Sequence, residues 1–198
     1  MAIVWVCRLG VDAYAELGRQ LDVPRFDCTV CGEPMVLWGF HRRYLRVGTW
    51  CRRVWIRRQR CNACRRSHVV LPRFVTHGRL DEVGVIGEGI EAMVAGRGAR
   101  KVAGDLGVPH TTVRDWRRRF RARAVLLAMG IGAVVVALSG SLPRLSRDPE
   151  QAALGAMAAA WAAVAARRPI IGSAFSLANA ICGSQVLSTN THPPWAVP

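Results

Sequence analysis

CTVCGEPMVLWGFHRRYLRVGTWCRRVWIRRQRCNAC, residues 28–64, is the stretch that decides how this chain folds. It opens on Cys28 and Cys31 and closes on Cys61 and Cys64, two CxxC pairs able to deliver four thiolates to one ion at Zn–S distances of about 2.3 Å. The 29 residues between Cys31 and Cys61 are strand-like, so they can fold back as hairpins and bring the pairs together. This predicts a zinc ribbon with Zn2+ as cofactor and Cys28, Cys31, Cys61 and Cys64 as ligands. Four cysteines fill a tetrahedral shell and leave no position for water or substrate, so the expected role is structural. A redox dithiol needs only one such pair in a βαβ setting, which does not fit here.

Working outward, MVLW from Met35, RYLRV from Arg43, RRVWIRRQR from Arg52 and HVVLP from His68 read as four strands. Val54 and Ile56 alternate with Arg53, Trp55 and Arg57, giving a packed face and a basic one. Trp38, Trp50 and Trp55 lie among arginines, a mixture that can stack on bases, but their expected place is the small ribbon core. His41, His68 and His77 are expected on the ribbon surface, because four cysteines already satisfy one ion. Cys7, Cys51 and Cys182 lack a partner at ligand spacing and are expected as small buried hydrophobes.

The chain carries a net charge of +15 over 198 residues, and the excess is concentrated: between Glu33 and Asp81 there are twelve arginines and no acid. Such a field selects a polyanionic partner through phosphate neutralisation and counterion release. Lys101 is the one lysine, a bias attributed to GC-rich coding. A hydrophobic content of 51% excludes a wholly disordered protein. The apolar opening MAIVWVC stops at Arg8, which suits neither a signal peptide nor a membrane span and gives a cytoplasmic expectation.

Residues 11–22 have helical spacing and form a leader helix ending before Pro24. Pro72 to Gly78 reads as a linker, and residues 80–123 as three helices: one over 81–95, a second over 99–106, and a third starting near Pro109 or His110. The last two fit a helix-turn-helix, with Val102, Ala103 and Leu106 facing inward, Gly107 at the turn, and Val108, Val113 and Trp116 pointing back to the core. On the third helix, His110, Thr111, Thr112 and Arg114 are placed to meet base edges, and Arg117, Arg118 and Arg121 to grip phosphate. Arg42 and Arg43 of the hairpin add to the expected duplex contacts.

Residues 124–142 hold no charge over 19 positions, which passes the length criterion for a membrane helix, and RRRFRAR before them suits a positive-inside end. Leu127, Ile131, Val134 and Leu138 instead make one stripe beside small Gly130, Ala133 and Ala137, the pattern of a closely packed buried helix. Ala152 to Ala166 is too short to span. Beyond Arg123 the only acids are Asp148 and Glu150, so three carboxylates for two-metal phosphoryl transfer cannot be assembled there, and no enzymatic activity is expected.

The succession CTVCGEPM, an arginine-rich hairpin region, CNACRRSHVVLP and ARKVAGDLGVPHTTVRDWRRRF resembles the N-terminal DNA-binding region of bacterial insertion-sequence transposases, and related transposon-associated proteins. The resemblance implies zinc at the four cysteines and DNA reading by the helix that begins near His110; it carries over no catalytic residue, since the DDE domain has no counterpart here. The resulting expectation is an α+β chain: leader helix 1–24, zinc ribbon 25–75, helix-turn-helix domain 79–123 and helical region 124–198. Its expected function is zinc-stabilised, sequence-specific binding of double-stranded DNA, with a transposase or integrase subunit and a second copy as further partners. Two alternatives are a transcription regulator with a dimerising or partner-binding C-terminus, and a basic protein tethered to a membrane by residues 124–142.

Overall fold

The computed structural model describes residues 2–141, 144–167 and 169–188, so Leu142 and residues 189–198 of the expected C-terminal region lie outside it. The architecture is mixed α+β. Strands β1 (Ala2–Trp5), β2 (Met35–Val47), β3 (Trp50–Cys61) and β4 (Ser67–Pro72) form one sheet in the order β1-β4-β3-β2. Six helices occur among the described residues: α1 (Val11–Leu17), α2 (Val83–Val94), α3 (Ala99–Leu106), α4 (His110–Ser139), α5 (Pro149–Ala165) and α6 (Ala174–Ile181).

β2 and β3 make one long hairpin closed by Gly48 and Thr49, with Gly48 at φ 60°, the sign a two-residue II′ connection wants at its first position. The two strands expected within residues 35–47 are one. A bulge absorbs Trp38, the register stepping from Leu37 opposite Gln59 to Gly39 opposite Arg58, so the strand crosses Gly39 without ending. The apolar opening supplies β1, which pairs in parallel with β4 from Ala2–Val69 to Trp5–Pro72. The leader helix is shorter than expected, because Gly18 at φ 55° ends α1 and a single 3-10 turn follows.

Val54 and Ile56 are fully buried in the main core. The opposite face of β3 is covered near the leader: Tyr14 donates its hydroxyl to the Trp55 carbonyl at 3.1 Å, and Arg57 donates to the Leu21 carbonyl at 3.3 Å. Gln59, also buried, donates to the Pro24 carbonyl at 2.7 Å and accepts from the Phe26 amide at 3.0 Å. Trp38 and Trp50 do not fill a ribbon core. Both are exposed, and Trp55 is half-buried beneath Arg19, because the leader and helices supply the apolar cover instead. Cys7 and Cys182 are buried as expected, whereas Cys51 is exposed on β3.

α2 approaches its neighbours through glycine: a Cβ on Gly87 would stand 2.7 Å from Phe175 of α6, and one on Gly89 3.0 Å from Trp116 of α4. Between α3 and α4, Gly107 takes a left-handed φ of 66° and the Val108 amide bonds back to the Ala103 carbonyl at 3.0 Å, a glycine-closed helix end. Val102, Ala103, Val108, Val113 and Trp116 are all buried behind that turn.

The boundary expected at 123/124 falls inside α4, which runs for 30 residues without interruption. Its buried stripe is Phe120, Ala124, Leu127, Ile131 and Val135, so the packed side ends on Val135 and not on Val134 and Leu138. α5 packs along it, started by Asp148, whose carboxylate accepts from the Gln151 amide at 2.9 Å, with Pro149 at the first helical position. α4 is long and apolar enough to cross a membrane by length and composition, yet this stripe is part of the core. Val125, Met129 and Val136 on its other side are exposed.

One core takes residues from Cys7 to Leu187, drawing on all four expected segments. A second, much smaller cluster of Cys28, Met35 and Cys61 sits at the open end of the hairpin. Twelve residue steps separate Met35 from Val47, which at about 3.3 Å each put about 40 Å between that end and the hairpin tip. The tip packs on the α3–α4 turn, where a Cβ on Gly107 would lie 2.4 Å from Thr49 Cγ2. Arg46 braces the same end through Asp81 at 2.5 Å.

Candidate metal centre and basic face

Each CxxC pair forms a tight knuckle. In the first, the Cys28 amide donates to the Glu33 carbonyl at 2.8 Å and the Gly32 amide to the Cys28 carbonyl at 2.8 Å; in the second, the Cys61 amide donates to the Arg66 carbonyl at 2.9 Å. The residue after the second cysteine is left-handed in both, Gly32 at φ 78° and Arg65 at φ 62°. Glycine adopts this at no steric cost, whereas an arginine there gives up about 1 kcal/mol.

The knuckles meet so that the four sulfurs of Cys28, Cys31, Cys61 and Cys64 lie within 4.8 Å of one another. The closest approaches cross between knuckles, Cys28 to Cys64 at 3.5 Å and Cys31 to Cys61 at 3.4 Å. Ligands at about 2.3 Å in a tetrahedron stand about 3.8 Å apart, so the group can hold a metal ion with little movement. Burial opposes ionisation of Cys28, but backbone amides of Val30 and Cys31 with Cys64 and His68 outweigh it and bring the thiol down to about 6. Cys31, despite the Glu33 amide, is held up at about 12 by its neighbouring thiols, chiefly Cys61. Of these two thiols, Cys28 is the one its surroundings favour as a thiolate.

His68 is not on the surface. It is 1% exposed, with Nε2 at 3.4 Å from Cys28 Sγ, while Nδ1 has no hydrogen-bond partner. The available signal was alternation in HVVLP: Val70 is buried, and His68 two residues earlier shares its face, opposite Gln59 on β3. An imidazole N–H on a thiolate orients a ligand and offsets its charge. His68→Phe is expected to weaken metal affinity at least tenfold with little change in helix content, measured by competition against a chromophoric chelator.

The expected reading residues share the first turns of α4. His110, Thr111, Arg114, Arg118 and Arg121 are exposed, and at 3.6 residues per turn they fall within an arc of about 100°. Val113, Trp116 and Phe120 occupy the opposite side and are buried. Thr112 is half-buried at the flank. Asp115 gathers three arginines: Arg79 at 3.4 Å, Arg119 at 2.7 Å, and Arg118. Burial would raise its carboxyl, but hydrogen bonds from Arg119 and Arg118 win and hold it below the usual range.

Two of the expected DNA contacts are committed elsewhere. Arg117 makes a fork onto Glu150 at 3.2 and 3.1 Å, fastening α5 to α4. Arg43 points inward and donates to the carbonyls of Thr76 (2.7 Å) and Arg79, binding the hairpin to the segment before α2. Neither role is visible from spacing, because each partner lies at least 33 residues away in sequence. Arg42 is exposed on β2.

The family model for a domain of unknown function, DUF6431, matches residues 28–119, from the first metal-site cysteine to Arg119 in α4, and so takes in Arg114 and Arg118 but stops before Arg121. No curated protein and no solved structure matches the chain.

Proposed function

We propose that the chain is a non-enzymatic, zinc-stabilised protein that reads double-stranded DNA with α4, in the manner of the DNA-binding region of a transposase or of a transposon-associated protein. The observation that carries this is the stripe of His110, Thr111, Arg114, Arg118 and Arg121, presented opposite the buried Val113, Trp116 and Phe120 and entered through the left-handed turn at Gly107. A helix held this way behind a shorter one is the geometry that enters a major groove, with its N-terminal side chains on base edges. Zinc is the ion that four thiolates in a closed tetrahedral shell favour. At the metal centre the residues' work is architectural: they hold the two knuckles, hence the ends of β2 and β3, in fixed register.

Fluorescence anisotropy with a duplex panel tests the assignment. Arg118→Ala is expected to weaken all duplexes alike and reduce the salt slope by about one, as removal of a phosphate contact does. Arg114→Ala is expected to cost about 1–3 kcal/mol on the preferred duplex alone. Equal losses on preferred and random duplexes for Arg114→Ala would remove it from the readout face.

A regulator that dimerises through α4 is the second reading, favoured by the exposed apolar stripe Val125, Met129, Ala133 and Val136 at i, i+4, i+8 and i+11. Sedimentation of the full chain as a monomer at micromolar concentration would oppose it.

A further inference from the structure

We propose that the outer face of the β2–β3 hairpin is a second nucleic-acid site, one that takes unpaired bases of a single strand. The cross-strand register makes a checkerboard there: Phe40 lies opposite Arg57, Arg42 opposite Trp55, and Tyr44 opposite Arg53. Cross-strand partners and residues two apart share a face, so three rings and three guanidiniums alternate on one surface. Arg57 stacks on Phe40 at 3.9 Å and Arg19 on Trp55 at 4.0 Å. Both rings are capped by planar guanidiniums: Arg57 is half-buried beneath the leader, whereas Arg19 is exposed and its outer face can itself stack on a base. Tyr44 is not capped. It is 53% exposed, and its neighbouring guanidinium, that of Arg42, is 5.8 Å from the ring centre.

Spacing selects the ligand. Side chains two apart on a strand lie about 6.8 Å from each other, twice the rise of about 3.4 Å per stacked base in a duplex strand. Paired, stacked bases cannot reach the Tyr44 ring and the Arg19 guanidinium over Trp55 in succession, whereas a single strand with splayed bases can. A duplex would find only the guanidiniums, and the exposed ring would add nothing. Neither strand contains an acid, so the charge the hairpin itself presents to phosphate is wholly positive. Tyr44 and Arg114 belong to different elements, so the two sites are separable by substitution.

Anisotropy on the full chain with three probes tests this: oligo(dT) of about twelve nucleotides, an abasic strand of the same length, and a duplex. Tyr44→Ala is expected to weaken oligo(dT) about tenfold and leave duplex binding unchanged, while Tyr44→Phe, which keeps the ring, retains it. Arg114→Ala is expected to change duplex preference and leave oligo(dT) unaltered. Failure of that duplex effect alone would sink the reading of α4 and not this site. Absence of oligo(dT) binding, an abasic strand held as tightly as oligo(dT), or equal losses from Tyr44→Ala and Tyr44→Phe would each overturn the proposal.

Discussion

Cys61→Ser is expected to abolish metal binding and to release the open end of the hairpin, while the helices stay folded. The reason is the unequal distribution of core. Around the sulfurs the fully buried apolar side chains are Cys28, Met35 and Cys61, with Ile3, Phe26 and Cys64 packed beside them and the imidazole of His68 buried against Cys28. Three buried side chains cannot offset the backbone entropy of the two knuckles at about 1–2 kcal/mol per residue. Structural zinc supplies on the order of 10 kcal/mol in small thiolate domains, so with zinc as the proposed ion its loss is expected to decide the state of that end. The main core, anchored by Trp116, Phe120, Phe74 and Ile90, is a separate and much larger cluster that meets the sulfur cluster through the half-buried Phe26, and it is expected to persist. Hydrogen exchange measures this directly: the Cys28 and Cys61 amides, bonded to Glu33 and Arg66, lose protection on substitution or chelation, and the amides of α2 and α4 keep theirs. Retained protection at Cys28 and Cys61 after chelation would show that the knuckles need no metal.

Gly107→Ala is expected to destabilise the chain by about 2–3 kcal/mol and to loosen the hairpin tip from the helices. Two costs combine. Alanine at a φ of 66° meets the left-handed penalty, and its Cβ would stand 2.4 Å from Thr49 Cγ2 and 3.2 Å from the Thr49 amide. A double-mutant cycle separates them: Thr49→Ala removes the methyl clash, so the double variant recovers part of the loss and leaves the backbone term. Full additivity in thermal denaturation would mean that tip and turn do not press on each other. On the proposed duplex-reading role the consequence reaches function, since the turn at Gly107 sets the angle at which α4 leaves α3.

Much of this organisation was legible from local pattern. The CxxC pairs gave the sulfur cluster, and helical period with Gly107 gave α3 and the start of α4 at His110. What escaped notice is long-range. Nothing local marks Ala2–Trp5 as a partner for β4, because parallel pairing across more than sixty residues leaves no trace in either segment. The bulge at Trp38 joined two expected strands, since a glycine inside a strand pattern reads equally as a break or a bulge. α4 continued past Arg123 because the charge shift there changes its surroundings and not its backbone propensity. Arg43, Arg117 and His68 each have an internal partner that side-chain type does not reveal: a pair of backbone carbonyls, a glutamate fork and a cysteine sulfur.

The central claim, that α4 reads duplex sequence from the stripe around Arg114, is tested most directly by selecting bound duplexes from a random pool with the metal-loaded full chain and with Arg114→Ala. The account predicts a converged motif for the parent chain and the same motif for the variant with discrimination lost at one or two positions. Absence of any enriched motif for the parent chain, or an unchanged motif for Arg114→Ala, would contradict it.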